Sequence, residues 1–281
     1  MNILKGLPVA NAINEQIAQE MKDWKGASPH LAIIRVGEKQ DDIAYERGAV
    51  KKMEKVGFAC TTYVLPADVD NDTFLQKFDE INESRDIDGI LLLRPLPRHL
   101  DEKAVESRIA PGKDLDGMSP INQAKVYAGD ESGFAPCTAE AVIEMLDYAD
   151  VDLKGKRAVV IGRSLVIGKP VAMLLLKKNA TVTVCHTKTE DLPGICRNAQ
   201  VLVAAAGAAK MVGADYVGRD AVVIDVGINV DEEGNLCGDV KLDEVAETAA
   251  LATPVPGGVG SVTTSVLAKH LLRAAKMSGK C

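Results

Sequence analysis

The residues that most clearly could do chemistry lie in VVIGRSLVIGKP, residues 159–170. Gly162 ends an apolar run and Gly168 falls inside the segment that follows, with Arg163 and Ser164 between them. A tight turn of this kind opens a helix whose free N–H groups and positive end receive a phosphate. Ser164 stands where the second glycine of the usual Gly-rich fingerprint would be, so the turn is a variant, and alone it is a weak signal. The run after it ends Cys185-His186-Thr187-Lys188, with no carboxylate before Glu190. A site for NAD usually has an acid there to hold the ribose 2′-hydroxyl. Arg163, Thr187 and Lys188 can instead serve a 2′-phosphate. This favours NADP, and NAD bound without an acid stays open.

The elements that must position these groups are legible from the apolar pattern. RAVVIG, ATVTVCH, QVLVAAAG and AVVIDVG are short Val/Ile-rich runs at roughly twenty-residue spacing, the mark of a doubly wound α/β domain with a parallel sheet. The first half alternates in the same way. VANAINEQIAQEMKDW, DIAYERGAVKKMEKVG and NDTFLQKFDEINES read as helices, and HLAIIRVG, CTTYVLP and DGILLLRPLP as buried strands. A final helix, SVTTSVLAKHLLRAAKM, carries an apolar stripe at Val262, Val266, Leu267 and Leu271 after the Pro/Gly-rich TPVPGGVG. DEEGNLCGDV fits a hairpin at a dimer interface or a free loop.

Composition narrows the class. A net charge of −7 argues against general affinity for nucleic acid or anionic membrane. No apolar run approaches membrane-spanning length. The start, MNILKGLPVANAINEQ, lacks a basic stretch followed by an apolar core, so no secretory signal is expected. The cysteines at 60, 137, 185, 196, 237 and 281 form no C-x-x-C pair and the histidines do not cluster with them. No metal site or disulfide framework is therefore expected, and a reducing cytoplasm is the expected home.

Four segments, in this order and spacing, resemble one family: GKDLDGMSPIN (112–122), APCTAEA (135–141), GRSLVIGKPVAMLLL with ATVTVCHTKT, and TPVPGGVGSVT (253–263). The chain is similar over essentially its whole length to the bifunctional methylenetetrahydrofolate dehydrogenase/methenyltetrahydrofolate cyclohydrolase family. The resemblance implies an N-terminal α/β folate-binding domain, residues 1–139 plus 262–281, and a Rossmann NAD(P)-binding domain, residues 140–261, with the folate substrate in a cleft between them. It implies a homodimer joined through the Rossmann domains. It also implies roles. Tyr45 matches the tyrosine that stacks on the aminobenzoyl ring, Asp116 the carboxylate that binds the pterin, and Pro256 and Gly257 the loop beside the folate. Gly162, Arg163, Ser164 and Ile228 match cofactor contacts.

The chain departs from that family where one of its two reactions is carried out. The family's Tyr-x-x-x-Lys reads Tyr45-Glu46-Arg47-Gly48-Ala49 here. The glutamine before the family's L-P-L-P is Leu93, followed by Arg94, and the Pro and Gly of P-C-T-P-x-G are Ala139 and Ala141. Hydride transfer needs two planar partners held at near-attack distance with water excluded. Hydrolysis of the methenyl carbon needs a proton shuttle, a role that suits a lysine of lowered pKa. The expectation is a dehydrogenase with weak or absent cyclohydrolase activity. Lys52, seven residues beyond Tyr45 on the same helical face, is the candidate surrogate. A non-catalytic folate or dinucleotide sensor is a further reading. Another two-domain dehydrogenase is a poorer one, because His186 is the only histidine near the Rossmann turn.

Overall fold

The computed structural model describes residues 1–280. In chain order the elements are β1 (Asn2–Ile3), α1 (Gly6–Met21), β2 (His30–Val36), α2 (Gln40–Val56), β3 (Ala59–Leu65), α3 (Asn71–Glu83), β4 (Gly89–Leu92), α4 (Glu102–Arg108), α5 (Pro120–Ala128) and α6 (Cys137–Tyr148). They continue with β5 (Arg157–Ile161), α7 (Gly168–Lys177), β6 (Thr181–Cys185), α8 (Leu192–Arg197), β7 (Val201–Ala204), β8 (Val222–Asp225), β9 (Asn229–Val230), β10 (Leu236–Cys237), α9 (Leu242–Val245), β11 (Leu251–Ala252) and α10 (Thr263–Met277). The chain divides into two compact units.

One unit comprises Ile13–Cys137 and the chain from Thr264 onward. Its sheet has the order β3-β2-β4, all parallel. From Leu31 to Val36 every residue of β2 is buried, as a central parallel strand covered on both faces requires. Phe74, Phe78 and Ile81 of α3 pack on Ile34, Ile90 and Leu92 in one core. Local chemistry sets the helix ends. Asp70 caps α3 by accepting from Thr73 N–H at 2.9 Å. Gly57, at φ 78°, closes α2 in the left-handed conformation that glycine adopts without strain. Val266, Leu267 and Leu271 of α10 are fully buried here, as the apolar stripe requires.

The other unit comprises Met1–Ala12 and Thr138–Thr263. Its six-stranded sheet has the order β1-β11-β8-β7-β5-β6, with every pairing parallel. The order reverses beside β5: β6 lies on one side and β7 on the other. Such a switch point is where open α/β sheets bind ligands, outside the carboxyl ends of the strands. Valine-rich β5, β7 and β8 supply a core with Val159, Leu202 and Val223 at its centre. Met1–Ala12 cluster with this unit. Asn2 pairs with Leu251 and Ile3 with Ala252, and two-residue edge strands leave no periodic signal in a sequence. DEEGNLCGDV supplies the turn and second strand of a hairpin: β9, just before it, pairs antiparallel with β10, Val230 opposite Leu236.

Candidate active site

In the first unit, the side chains expected to hold folate sit at the carboxyl edge of the three-stranded sheet. Tyr45 is in the second turn of α2, the helix that follows β2. Arg35 on β2 ties to Glu46 at 2.6 Å, which fixes the start of that helix. Lys39 adds a bond to the carbonyl of Pro95 at 2.9 Å. Asp116 comes from a segment beside β4. Asp114 bridges Ile90 in parallel, and Asp116 lies in the turn that follows, closed by Gly117 N–H on the Asp114 carbonyl at 3.3 Å.

The loop carrying Asp116 is rigid for reasons visible in its bonds. Buried Asp114 accepts from Met118 N–H at 2.9 Å, Ser119 N–H at 2.8 Å and Asn122 Nδ2 at 2.9 Å. Gly117 takes φ 60°, and a Cβ there would lie 2.4 Å from the carbonyl oxygen of Phe134. Asp116 Oδ1 accepts the N–H of Cys137 at 2.8 Å, the first residue of α6, so the carboxylate sits on the positive end of a helix. Burial pushes the Asp116 carboxyl up. The Cys137 N–H and the charge of Arg94 oppose that rise.

Tyr45 keeps 36% of its surface open. Close packing around its hydroxyl, with Cys137 and then Asp116 beside it, pushes the phenol well above its ordinary pKa. Tyr45, Asp116 and Cys137 thus form one group. Cys137 was not among the expected site residues. Its place in APCTAEA carries the signal, but the carboxylate it serves lies 21 residues away.

Two of the four departures from the family pattern, Ala49 and Leu93, lie on α2 and just past β4. Ala49, one turn after Tyr45, is completely buried, and Leu93 is 7% exposed with its N–H on the Ile34 carbonyl at 2.9 Å. Both are sealed by packing. Lys52 Nζ donates to Ser265 Oγ at 2.7 Å and to Asn14 Oδ1 at 3.2 Å. Burial, and secondarily Lys55, lowers its pKa.

In the second unit, Gly162 ends β5 at the switch point with φ 128°, and a Cβ there would lie 2.2 Å from the Ala205 carbonyl oxygen. A Cβ on Gly168 would lie 2.2 Å from the Gly162 carbonyl oxygen. The backbone is therefore as tight as a phosphate-binding turn demands. Ser164 Oγ accepts from Ile167 N–H at 3.1 Å at the entrance to α7. Arg163, Ser164, Thr187 and Lys188 are exposed, on the two loops that follow β5 and β6. A close-packed glycine turn, a helix N-terminus and two exposed cations fit a dinucleotide with an added phosphate.

Ile228 is 70% exposed, on a loop shaped by two buried acids that the sequence did not single out. Asp225 accepts from Gly227, Asp239 and Val240 N–H at 2.9–3.0 Å. Asp239 accepts from Ala206, Gly207 and Ala208 N–H and from Asn229 Nδ2. Pro256 follows a cis peptide bond, and Gly257, at φ 95°, accepts the N–H of Gly6 at 2.8 Å. The five described cysteines are free thiols, and Cys281 lies outside the described residues. Among the described residues no helix is long and apolar enough to cross a membrane.

Comparison with known proteins gives the family. Residues 4–116 match the catalytic domain of tetrahydrofolate dehydrogenase/cyclohydrolase, and residues 136–279 its NAD(P)-binding domain. The chain is 51% identical over 277 residues to "Bifunctional protein FolD" of Clostridioides difficile, covering 98% of this chain and 96% of that protein. It is 49% identical over 280 residues to the protein of the same name from Clostridium kluyveri, covering 99% of each. Among solved structures, the bifunctional FolD of Campylobacter jejuni superposes with a TM-score of 0.94 at 37% identity, covering 99% of both chains. The Trypanosoma brucei FolD, complexed with NADP cofactor and inhibitor, superposes at 0.92 and 37%, covering 99% of this chain and 98% of that one. The chain belongs to the tetrahydrofolate dehydrogenase/cyclohydrolase family, oxidoreductases of folate one-carbon metabolism.

Proposed function

We propose that this chain oxidises methylenetetrahydrofolate to methenyltetrahydrofolate with NADP as acceptor, and that it hydrolyses the product slowly or not at all. The substrate's bridging carbon loses hydride, and the lone pair of a neighbouring nitrogen closes the amidinium cation that remains. When bound, NADP supplies the two-electron acceptor at its nicotinamide ring. The protein's part is placement. Tyr45 stacks on the aminobenzoyl ring, Asp116 accepts from the pterin's N–H groups, and Pro256 and Gly257 form the loop beside the folate. Gly162, Arg163, Ser164, Thr187 and Ile228 hold the dinucleotide. No residue has to take up a proton in this step, so Ala49 and Leu93 do not impair it.

Hydrolysis is different. Water must be deprotonated and a nitrogen protonated as the ring opens. The single observation that carries the reading is the buried methyl of Ala49 one turn from Tyr45, with Leu93 also sealed by packing. Neither side chain can move a proton. The test supplies methylenetetrahydrofolate with NADP or NAD and follows reduced nicotinamide, then supplies methenyltetrahydrofolate and follows its decay. Hydride transfer at least tenfold faster than enzymatic hydrolysis supports the reading. Comparable rates overturn it.

A second reading keeps both activities, with Lys52 as the proton carrier. Two observations favour it: the relatives are named bifunctional, and burial lowers the Lys52 pKa. Against it stands the engagement of that ammonium by Ser265 and Asn14. A homodimer joined through the dinucleotide-binding domains belongs to either reading.

A further inference from the structure

The segment that carries Asp116 is held by α10. Leu115, the residue before Asp116, is completely buried. Its carbonyl accepts from His270 Nδ1 at 2.7 Å and from Cys137 Sγ at 3.4 Å. A carbonyl has no proton to give, so His270 carries its proton on Nδ1. His270 is buried on α10, 155 positions from Leu115. Cys137 Sγ lies 3.7 Å from the same ring nitrogen, and the Cys137 N–H is the donor to Asp116 Oδ1. Cys137 thus holds the carboxylate itself, while His270 and the Cys137 thiol hold the peptide group that joins Leu115 to Asp116.

The other flank of Asp116 leads to the same turn of α10. Gly117 lies so close to Phe134 that a Cβ would stand 2.4 Å from its carbonyl oxygen. Phe134 is buried, with its ring centroid 5.2 Å from that of His270 and 4.0 Å from the guanidinium carbon of Arg273. Arg273 Nη2 donates to the Gly133 carbonyl at 2.6 Å. His270 and Arg273 are three residues apart, so they share one helical face. That face meets the chain on both sides of Asp116: directly at Leu115, and through Phe134 at Gly117. Packing alone would be served by an apolar side chain at position 270, like Val266, Leu267 and Leu271 on the same helix. The imidazole adds a donor, and a buried polar contact that is fully made fixes one arrangement.

We propose that His270 is a positioning residue of the folate site: its Nδ1–H fixes the carbonyl next to Asp116, with the Cys137 thiol on the same oxygen, and so aims the Asp116 carboxylate at the pterin. In this role His270 touches no substrate and moves no proton. It supports binding that is the same before and during hydride transfer, so its effect falls on KM and spares kcat. The inference rests on the reading of Asp116 as the pterin ligand.

The test is a kinetic series on the intact enzyme with His270→Leu, His270→Asn, Asp116→Asn and the double variant His270→Leu/Asp116→Asn. Leucine keeps the burial and loses the donor. Asparagine loses the ring and keeps an N–H donor on Cγ, where Nδ1 is attached. Both are expected to lower the melting temperature. His270→Leu is expected to raise the KM for methylenetetrahydrofolate about tenfold, the scale of one buried acceptor left unsatisfied, with kcat and the KM for NADP within about twofold. His270→Asn keeps the folate KM within about threefold of the parent. On the Asp116→Asn background, His270→Leu changes the folate KM less than about twofold. A residue that only supports packing would give a folate KM unmoved by His270→Leu, raised equally by leucine and asparagine, raised equally on both backgrounds, or raised together with the KM for NADP. Any of these overturns the inference alone. A folate KM unmoved by Asp116→Asn overturns the reading of Asp116 and the inference with it. Should His270→Leu not fold, Cys137→Ala removes the second donor to the Leu115 carbonyl and keeps the N–H on Asp116. It is expected to raise the folate KM about threefold, as the loss of a weak S–H donor should, and an unchanged KM in that variant overturns the inference.

Discussion

The ammonium of Lys52 donates to the hydroxyl of Ser265 at 2.7 Å, joining α2 to α10 across 213 positions of sequence. Asn14 on α1 accepts a second bond from the same ammonium at 3.2 Å, so three helices of one unit meet at this nitrogen. That geometry makes Lys52 a tie between helices. Lys52→Met should lower stability by about 1–3 kcal/mol, the range for lost hydrogen bonds to a charged group, read as a shift in the urea midpoint. Hydride transfer should stay within about twofold of the parent. If methenyl hydrolysis is present and falls at least tenfold in this variant, Lys52 carries the proton and the tie is secondary.

The proposed loss of hydrolysis is tested by putting a lysine and a glutamine at positions 49 and 93. Ala49→Lys with Leu93→Gln puts an ammonium and an amide next to Tyr45, in a setting that lowers a lysine pKa by burial. Positioned proton transfer contributes about 10²–10⁴-fold. The double variant is expected to hydrolyse methenyltetrahydrofolate at least about a hundredfold faster than the parent. Both positions are buried, so a lower melting temperature is expected too. Stopped-flow decay of the methenyl absorbance measures the first effect and calorimetry the second.

Gly162→Ala should disable dinucleotide binding while folate binding persists. The added methyl would lie 2.2 Å from the carbonyl oxygen of Ala205, at a φ of 128° that L side chains avoid. The strand end must shift, at a cost on the order of 1–3 kcal/mol. The Kd for NADP, measured by calorimetry, is expected to rise at least tenfold. An unchanged Kd would mean that the phosphates bind elsewhere.

Asp225 gives a pH dependence with a definite sign. Burial pushes its carboxyl up to about 6, against the bonds from Val240, Asp239 and Gly227. A folded-state pKa above the unfolded one favours the protonated form, so this contribution is complete below about pH 4 and is lost as pH rises through 6. About two pH units correspond to roughly 3 kcal/mol at most. Urea unfolding at pH 4, 5, 6 and 7.5 should show the parent losing stability relative to Asp225→Asn, which cannot titrate. A constant difference across that range would show that Asp225 stays ionised throughout.

The parts of the fold that were legible share one property: their signal is local. Leu31 to Val36 is buried on both faces, so β2 is an unbroken apolar run. Gly57 closes α2 within its own turn. β1 and β11 have two residues each and exist only because they pair with one another and with β8. Tyr45 and Asp116 came from resemblance, and the structure adds Cys137, whose N–H anchors Asp116. Asp225 and Asp239 stand in no motif. Their backbone donors include Ala206, Gly207 and Ala208, more than thirty positions away, a distance at which no motif speaks. Ala139 and Ala141 are fully buried in α6.

Both compact units are assembled from separated stretches: one takes the first dozen residues, and the other takes the closing helix. During synthesis the early segment of one unit must therefore wait, unpaired, for β11 to emerge from the ribosome. The other stays open until α10 emerges, because that helix fills its interior with Val266, Leu267 and Leu271. A nascent chain stalled before position 263 would expose the vacant seat of α10 to chaperones.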